Sequence, residues 1–273
     1  MDMDPSHNIR LIIADNDDLP SAEEAVRKTA ADTNMNVFYI HAPARNISIA
    51  RNACLEAVKA PYVAFIDDDE LVTKGWLRSL MLMLNTTNAD IIVGPVKAIY
   101  DEKTPVWVTK GDFHSIYPVF VDGEIRTGAS NNILMRYRPP IFGQLRFREE
   151  LGRSGGEDTL FFHTAWLSGA KFEYAPEAVV TEYVPENRST LKWLIKRRFR
   201  YGQTHGSIVL ADNSGFTNRI KNISLSGAKG AFCLFCASVN FFRADRMLFW
   251  ILRGTLHLGA VARLTGKSEV ECY

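Results

Sequence analysis

The residues best suited to chemistry are four consecutive carboxylates, from Asp67 to Glu70, directly after a short apolar run. Adjacent carboxylates repel one another unless a cation lies among them. If the strand continues through them, Asp67 and Asp69 project to one side and Asp68 and Glu70 to the other. The first pair then suits one divalent ion, Mg²⁺ or Mn²⁺, together with the phosphates it binds. The simpler interpretation is a solvated acidic turn that caps the next helix.

Two further polar residues are expected at the same edge of a sheet. Asp15 follows the predicted strand Ile9–Ala14, where it would bind a nucleobase or ribose, or else form an Asx turn. Arg51 lies in the predicted helix Ile47–Val58 and would neutralise a diphosphate by a bidentate contact. The alternative for Arg51 is an ordinary surface position.

A second carboxylate pair, Glu157 and Asp158, follows a glycine-rich bend and precedes the predicted apolar helix Thr159–Leu167. A carboxylate in this position can be the N-cap of that helix. Beside a metal and diphosphate site, it can instead act as general base toward an acceptor hydroxyl.

Alternating strands and helices must position these groups. The alternation predicts a mostly parallel sheet covered on both faces, with ligands at the carboxyl ends of its strands. The remaining predicted elements of the first hundred residues are a helix from Ser21 to about Ala31, strands Val37–Ile40, Tyr62–Ile66 and Ile91–Tyr100, and a helix over Lys74–Leu84.

Composition excludes several classes of protein. The 273 residues are 47% hydrophobic and carry 32 Lys and Arg against 31 Asp and Glu, which excludes a disordered chain and makes a basic nucleic-acid binder improbable. Four cysteines and a start without signal-peptide character favour a reducing cytosol. Uninterrupted apolar runs long enough for an ordinary membrane span are missing.

The rest of the chain has a different character. Residues 101–182 are rich in glycine, proline and aromatic residues, as substrate loops are. From Arg188 the chain turns helical and basic, and the apolar stretches Leu225–Phe242 and Met247–Leu264 are interrupted by charges. We expect these two stretches to lie in a membrane interface. The spacing Cys233-x-x-Cys236 has no second pair, so packing is the better interpretation.

Taken together, these motifs resemble an inverting family 2 glycosyltransferase with the GT-A fold, within it the glucosyltransferases of succinoglycan-type exopolysaccharide assembly. The resemblance runs almost from end to end. The segments that carry it are Ile13–Asp17, Asn46–Cys54, Ala64–Glu70, Gly111–Ser115, Gly123–Gly128, Ser154–Thr159, Val184–Arg188, Lys196–Arg200 and Gly202–Gly206.

The resemblance implies an α/β, Rossmann-like mixed sheet for nucleotide-sugar binding, followed by a helical, membrane-associating tail. Residues 1–110 would bind the donor, 111–187 would hold the acceptor side and the base, and 188–273 would form the tail. The implied donor is UDP-glucose, and the implied acceptor is a polyprenyl-diphosphate-linked oligosaccharide at the cytoplasmic face of the inner membrane. The enzyme would be peripheral there and otherwise cytoplasmic.

The resemblance also assigns roles to residues. Asp15, Arg51, Asp67 and Asp68 would bind the donor, Asp69 with Asp67 would hold Mg²⁺ or Mn²⁺, and Asp158 would be the base. Glu157, Glu182, Arg197 and Arg198 would shape the acceptor side. Thr181 stands where relatives have a histidine, which leaves Glu182 as the nearby polar group.

One departure leaves a second function open. In this family a strand with a Pro- or Cys-Thr-Tyr-x-Arg type turn and a helix, about 30 residues or more, usually precede the strand equivalent to Ile9–Ala14. We expect this chain to lack that unit, so the alternative is a catalytically impaired homologue that acts only in binding. A glycoside hydrolase fits less well, because four clustered acids are not two lone carboxyls that flank a bond.

Overall fold

The structure, a computed structural model, describes residues 8–33, 35–212 and 215–270. In chain order its strands and helices are β1 (Arg10–Asp15), α1 (Glu23–Thr33), β2 (Asn36–His41), α2 (Ile47–Glu56), β3 (Tyr62–Ile66), β4 (Glu70–Val72), α3 (Trp76–Thr86), β5 (Ile91–Val93), β6 (Val96–Ile99), α4 (Val106–Gly111), β7 (Phe120–Val121), β8 (Glu124–Ile125), β9 (Asn132–Arg136), α5 (Glu157–Leu167), β10 (Phe172–Tyr174), β11 (Val180–Tyr183), α6 (Leu191–Asp212), α7 (Phe216–Val239) and α8 (Ala244–Leu264).

The chain folds as two compact units. The first consists of Met1–Pro95 and Tyr117–Val180, and the second of Val96–Ile116 and Thr181–Tyr273. These units are defined by packing, and the division of function among residues 1–110, 111–187 and 188–273 stays a prediction.

Strand pairing in the first unit is mixed. β1 and β2 pair in parallel, while a four-stranded sheet has the order β10-β5-β9-β3. β9 runs antiparallel to both β3 and β5, so the expectation of a mostly parallel sheet is wrong. The reason is that β9 comes from the segment expected to form only loops. The mixed sheet expected from the family resemblance is confirmed.

The predicted strand Ile91–Tyr100 is divided by Gly94 and Pro95. A side chain at Gly94 would meet the Asn132 amide at 2.4 Å and the Ala178 carbonyl at 2.5 Å, so only glycine permits this close approach. β5 therefore ends at Val93, and β6 belongs to the second unit.

The core of the first unit lies where α2 and α5 cover the sheet. β5 is buried at every residue, as expected for a strand covered on both faces. Phe147 and Phe161 stack with ring centroids 4.2 Å apart, and Leu55 of α2 packs into the same cluster. This packing holds α2 and the start of α5 in fixed positions.

Within the described residues, β1 and β3 are among the strands of the first unit that are paired along one edge only. β1 pairs with β2, and β3 pairs with β9. The expectation that this chain lacks the strand and helix that usually precede β1, made from the family resemblance, stays a prediction.

The second unit is mainly helical. Glycines set its main packing contact: a side chain on Gly202 would lie 1.9 Å from the Leu256 carbonyl, and one on Gly259 would lie 2.0 Å from the Phe199 carbonyl. α6 and α8 therefore approach backbone to backbone. Of the helices in the described ranges, α7 alone is long and apolar enough to cross a membrane, by length and composition, and 17% of its apolar window is buried.

Candidate active site

Two asparagines, one at the N-cap of α2 and one within the helix, fix α2 to the loop that precedes α5. Asn46 caps the helix by accepting from the Ser48 and Ile49 amides, and its own amide donates to the Glu149 carbonyl at 2.8 Å. Asn52 exchanges two hydrogen bonds with the Phe147 backbone, at 2.8 and 2.9 Å. These bonds join residues 103 and 95 positions apart in the chain, and they hold the loop beside α2.

Arg51 is the centre of the arrangement. Its Nη1 donates to Glu157 Oε1 at 2.5 Å, and its Nη2 lies 3.5 Å from Asp67 Oδ1. The guanidinium also lies over the Phe147 ring, 5.6 Å from its centroid. Because its side chain is only 12% exposed, Arg51 is not the ordinary surface arginine of the alternative interpretation. It joins the acidic turn after β3 to the start of α5.

The carboxylates around Arg51 outnumber the cations. Burial lowers the pKa of Arg51, but this effect is outweighed by the nearby carboxylates of Asp158, Glu157 and Asp67. The pKa of Arg51 is therefore raised above its usual value. Burial raises the pKa of Asp67, as do Asp69, Asp158 and Asp68, whereas Arg51 lowers it. Burial and Asp158 likewise raise the pKa of Glu157 against the opposing effect of Arg51. One arginine thus does not neutralise the cluster.

The acidic segment is a turn and not a continued strand. β3 ends at Ile66, and the Glu70 amide donates to the Asp67 carbonyl at 3.3 Å. Glu70 is buried and accepts the Asp67 amide at 2.9 Å, so the expected alternation of side chains through this segment is wrong. Asp68 and Asp69 are the exposed corners of the turn.

The donor set of this turn fits a divalent cation. Asp67 and Asp69 offer carboxylate oxygens, the ligands that Mg²⁺ and Mn²⁺ prefer, and a cation would relieve the repulsion that raises the pKa of Asp67. Groups of three or more His, Cys, Asp or Glu arranged for a metal do not occur among the described residues. Water and phosphate oxygens would therefore complete the coordination, as is usual for Mg²⁺ beside a nucleotide.

The second carboxylate pair opens α5, two residues earlier than expected. Gly155 and Gly156 both have left-handed φ angles, 86° and 90°, and Gly156 is the N-cap. Asp158 is therefore within the first turn, and its alternative role as N-cap is wrong. Its Oδ1 accepts the Thr159 amide at 2.6 Å.

Asp15 is buried at the end of β1 and forms the Asx turn that was one of its two interpretations. Its carboxylate accepts the Asp17 amide at 3.1 Å, the Ala22 amide at 2.9 Å and the Tyr39 hydroxyl at 2.7 Å. The Ala22 amide, followed by Tyr39, lowers the pKa of Asp15. The same contacts place the start of α1, and the predicted base contact stays a prediction.

The other predicted site residues lie in the second unit. Glu182 of β11 forms an ion pair with Arg188 at 3.1 Å. Arg197 donates to the Tyr201 hydroxyl at 2.6 Å and lies over the Trp193 ring, while Arg198 donates to the Phe113 carbonyl at 3.1 Å. These contacts give each group a fixed position within its own unit.

Asn46 and Asn52 are the positioning residues that the sequence analysis did not single out. They fall within a segment quoted for the resemblance, and the signal that could have found them is an asparagine directly before the predicted helix Ile47–Val58 and another inside it. Their partners could not be found by spacing, because Asn52 and Phe147 are 95 residues apart.

Solved structures with a similar fold are glycosyltransferases of the GT-A class. S. aureus TarS 1–349 in complex with UDP-GlcNAc matches with a TM-score of 0.51 and 13% identity, over 92% of this chain and 83% of that one. GalNAc-T7 with UDP, GalNAc and Mn²⁺ matches with a TM-score of 0.51 and 14% identity, over 72% of this chain and 44% of that one. The predicted GT-A-like mixed α/β fold is confirmed.

Sequence comparison gives the family. The chain is 44% identical over 265 residues to the succinoglycan biosynthesis protein ExoM of Rhizobium meliloti (strain 1021), an alignment that covers 97% of this chain and 85% of that protein. Residues 3–146, just over half of the chain, match the family described as Glycosyl transferase family 2. The chain therefore belongs to glycosyl transferase family 2.

Proposed function

We propose that this chain transfers glucose from UDP-glucose, with inversion and with a divalent metal, to a polyprenyl-diphosphate-linked oligosaccharide in succinoglycan-like exopolysaccharide biosynthesis. The similarity to ExoM over nearly the whole chain supports the pathway. The observation that carries the proposal is the position of Arg51. Its guanidinium contacts both Asp67 and Glu157, and so brings the acidic turn and the Glu157–Asp158 pair together.

The donor would lie at the Asp67 turn. Asp15 would contact the base, Asp67 and Asp68 the rest of the nucleotide, and Asp69 with Asp67 would hold Mg²⁺ or Mn²⁺. A divalent cation bound there would stabilise the negative charge that develops on the departing diphosphate. Arg51 of α2 would also bind the donor there. Its hydrogen bond to Glu157 keeps the guanidinium directed toward the Asp67 turn.

Asp158 would be the general base. The acceptor hydroxyl gives its proton to the Asp158 carboxylate while its oxygen attacks the sugar C1. The bond between C1 and the diphosphate oxygen breaks as the new glycosidic bond forms, and UDP leaves with the electron pair. Attack from the face opposite the leaving group inverts the configuration at C1. The paired glycines before α5 support this role, since their left-handed φ angles lead into the helix whose first turn carries Asp158.

The acceptor side would be shaped by Glu157, Glu182, Arg197 and Arg198. A lipid diphosphate requires cations, and the Arg197/Arg198 pair of α6 supplies two in one turn of helix. The chain would be peripheral at the cytoplasmic face of the inner membrane, and the apolar character of α7 supports the membrane association in this proposal.

The test is transfer of radiolabelled glucose from UDP-glucose to membrane lipid that carries the oligosaccharide acceptor. We expect Asp158→Asn to reduce kcat by about 10²-fold or more, as loss of a general base does. Asp69→Asn should abolish metal-dependent UDP binding in calorimetric titration. The matched control is Asp122→Asn, which changes an exposed carboxylate of the same unit and should leave both readouts unchanged.

Transfer at wild-type rate by both Asp69→Asn and Asp158→Asn would refute these roles. If the unaltered chain neither transferred sugar nor bound UDP with Mn²⁺, the second candidate, an impaired homologue that acts only in binding, would replace the proposed enzyme.

A further inference from the structure

The end of the second unit where α7 turns into α8 exposes an unusual number of large apolar side chains. We define the aromatic tip as the seven large apolar residues exposed between positions 232 and 249. They are Phe232, Leu234, Phe235, Val239, Phe241, Phe242 and Phe249. Phe242 is the most exposed of them, at 84%. Exposed apolar side chains in this number, so close together along a folded chain, indicate an interaction surface.

The packing of α7 explains why the tip stays exposed. Its buried residues are Gly230, Cys233 and Ala237, a narrow stripe of small residues, and Cys233 faces Gly254 of α8. Small residues bring α7 close to α8 but leave most of the circumference of its C-terminal half outside the core. The aromatic side chains of that half thus remain outside the core of this unit.

The positive charges around the tip favour an anionic lipid surface as its partner. From Phe216 to Leu264 the sequence contains seven Lys and Arg and one acidic residue, Asp245, whereas the whole chain has a net charge of +1. Arg243, Arg246 and Arg253 flank the tip and are exposed. Phenylalanine beside arginine suits the boundary between lipid headgroups and acyl chains, where rings enter the apolar layer and guanidinium groups meet phosphates.

A small cavity next to the tip also suits a lipid headgroup. Its volume is about 190 Å³, and it is lined by Lys110, Gly111, Asp245, Arg246, Phe249 and Trp250. Two cations face one carboxylate there, and two aromatic rings form an apolar wall. This chemistry suits a lipid phosphate headgroup.

From these observations we infer that the aromatic tip inserts into one leaflet of an anionic bilayer, with Phe241 and Phe242 as its deepest residues. This rests on the proposed membrane location and specifies the surface that makes it. Only the C-terminal end of α7 enters the interface, and the helix does not cross the bilayer, because Lys229 is exposed in its middle. The tip anchors the second unit at the membrane surface that would contain the lipid-linked acceptor.

The test measures partition of the full chain into phosphatidylcholine vesicles with and without phosphatidylglycerol, by flotation. We expect the double variant Phe241→Ser/Phe242→Ser to lose at least about tenfold in partition, since burial of one phenylalanine exceeds the roughly 1.4 kcal/mol of a tenfold change. The matched control is Phe216→Ser/Ile220→Ser, which removes two exposed apolar residues at the other end of α7 and should partition within about twofold of the parent.

Charge provides the second arm. Arg243→Gln/Arg246→Gln should weaken binding only to vesicles with phosphatidylglycerol, and added salt should remove that difference. Unchanged partition of the Phe241→Ser/Phe242→Ser variant would overturn the inference. So would sedimentation showing that the parent self-associates through the tip while the vesicles bind parent and variant alike, because a second copy would then be the occupant.

The outcome is separable from the proposed function. Partition is measured without donor or acceptor, so failure of sugar transfer by the parent chain would not affect it. If the tip is only an anchor, Phe241→Ser/Phe242→Ser should also retain transfer to a detergent-solubilised acceptor.

Discussion

Loss of the Arg51 guanidinium should be far more destabilising than loss of an exposed arginine. Arg51 is 12% exposed and its partner Glu157 is 7% exposed, so Arg51→Met leaves a buried carboxylate without its cation. Breaking a buried pair costs about 3–5 kcal/mol, whereas an exposed pair contributes about 0–1 kcal/mol. Asp67 adds less, since its carboxylate is 42% exposed, hence only partly desolvated, and lies 3.5 Å from Arg51. Methionine retains the apolar contact with Phe147, so we expect a loss of about 3 kcal/mol or more.

The assay is a double-mutant cycle by urea denaturation without added metal, followed by circular dichroism and fluorescence. Glu157→Gln alone should cost less than Arg51→Met, because Asp67 and Asp158 still face the arginine. The double variant should recover about 1–3 kcal/mol relative to the sum of the two single losses. The control is Arg27→Met, which breaks an exposed pair on α1. Additive losses, or an Arg51→Met loss equal to that of the control, would refute the reasoning.

Three further predictions concern the stability of the two units. Tyr39→Phe removes a hydrogen-bond donor that lowers the pKa of Asp15, so the variant should be less stable than the parent at neutral pH. The difference in stability should shrink as the pH falls through the lowered pKa of Asp15, which denaturation at a series of pH values would measure. Burial lowers the pKa of His114 from 6.5 to about 4, so the parent should lose about 3 kcal/mol as the pH falls through this window, and His114→Gln should have a flatter profile. Gly202→Ala places a methyl group 1.9 Å from a carbonyl of α8 and should lower the melting temperature, whereas Gly227→Ala, with open space around it, should be neutral or stabilising by up to about 1 kcal/mol.

Local sequence patterns predicted most elements of the first hundred residues. Tyr62–Ile66 is a strand with the predicted bounds, and Ile47 begins a helix as expected. These segments follow periodicity and capping, which depend on neighbours in the chain. The prediction from local sequence failed where a contact distant in the chain ends a strand. The apolar run Ile91–Tyr100 looks continuous, but Gly94 packs closely against Asn132 and Ala178, and the strand ends there.

The sequence by itself determined the chemical inventory: an acidic turn after a strand, a second carboxylate pair after glycines, and a basic, apolar C-terminal segment. It also determined the glycosyltransferase family, because these motifs occur in a specific order. Only the tertiary structure decided that Glu70 turns inward, that β9 enters the sheet antiparallel, and that Arg51 joins Asp67 to Glu157. Arg51 and Glu157 are 106 residues apart. Periodicity reports only on residues within a few positions of one another, whereas such pairings are decided by how the core packs.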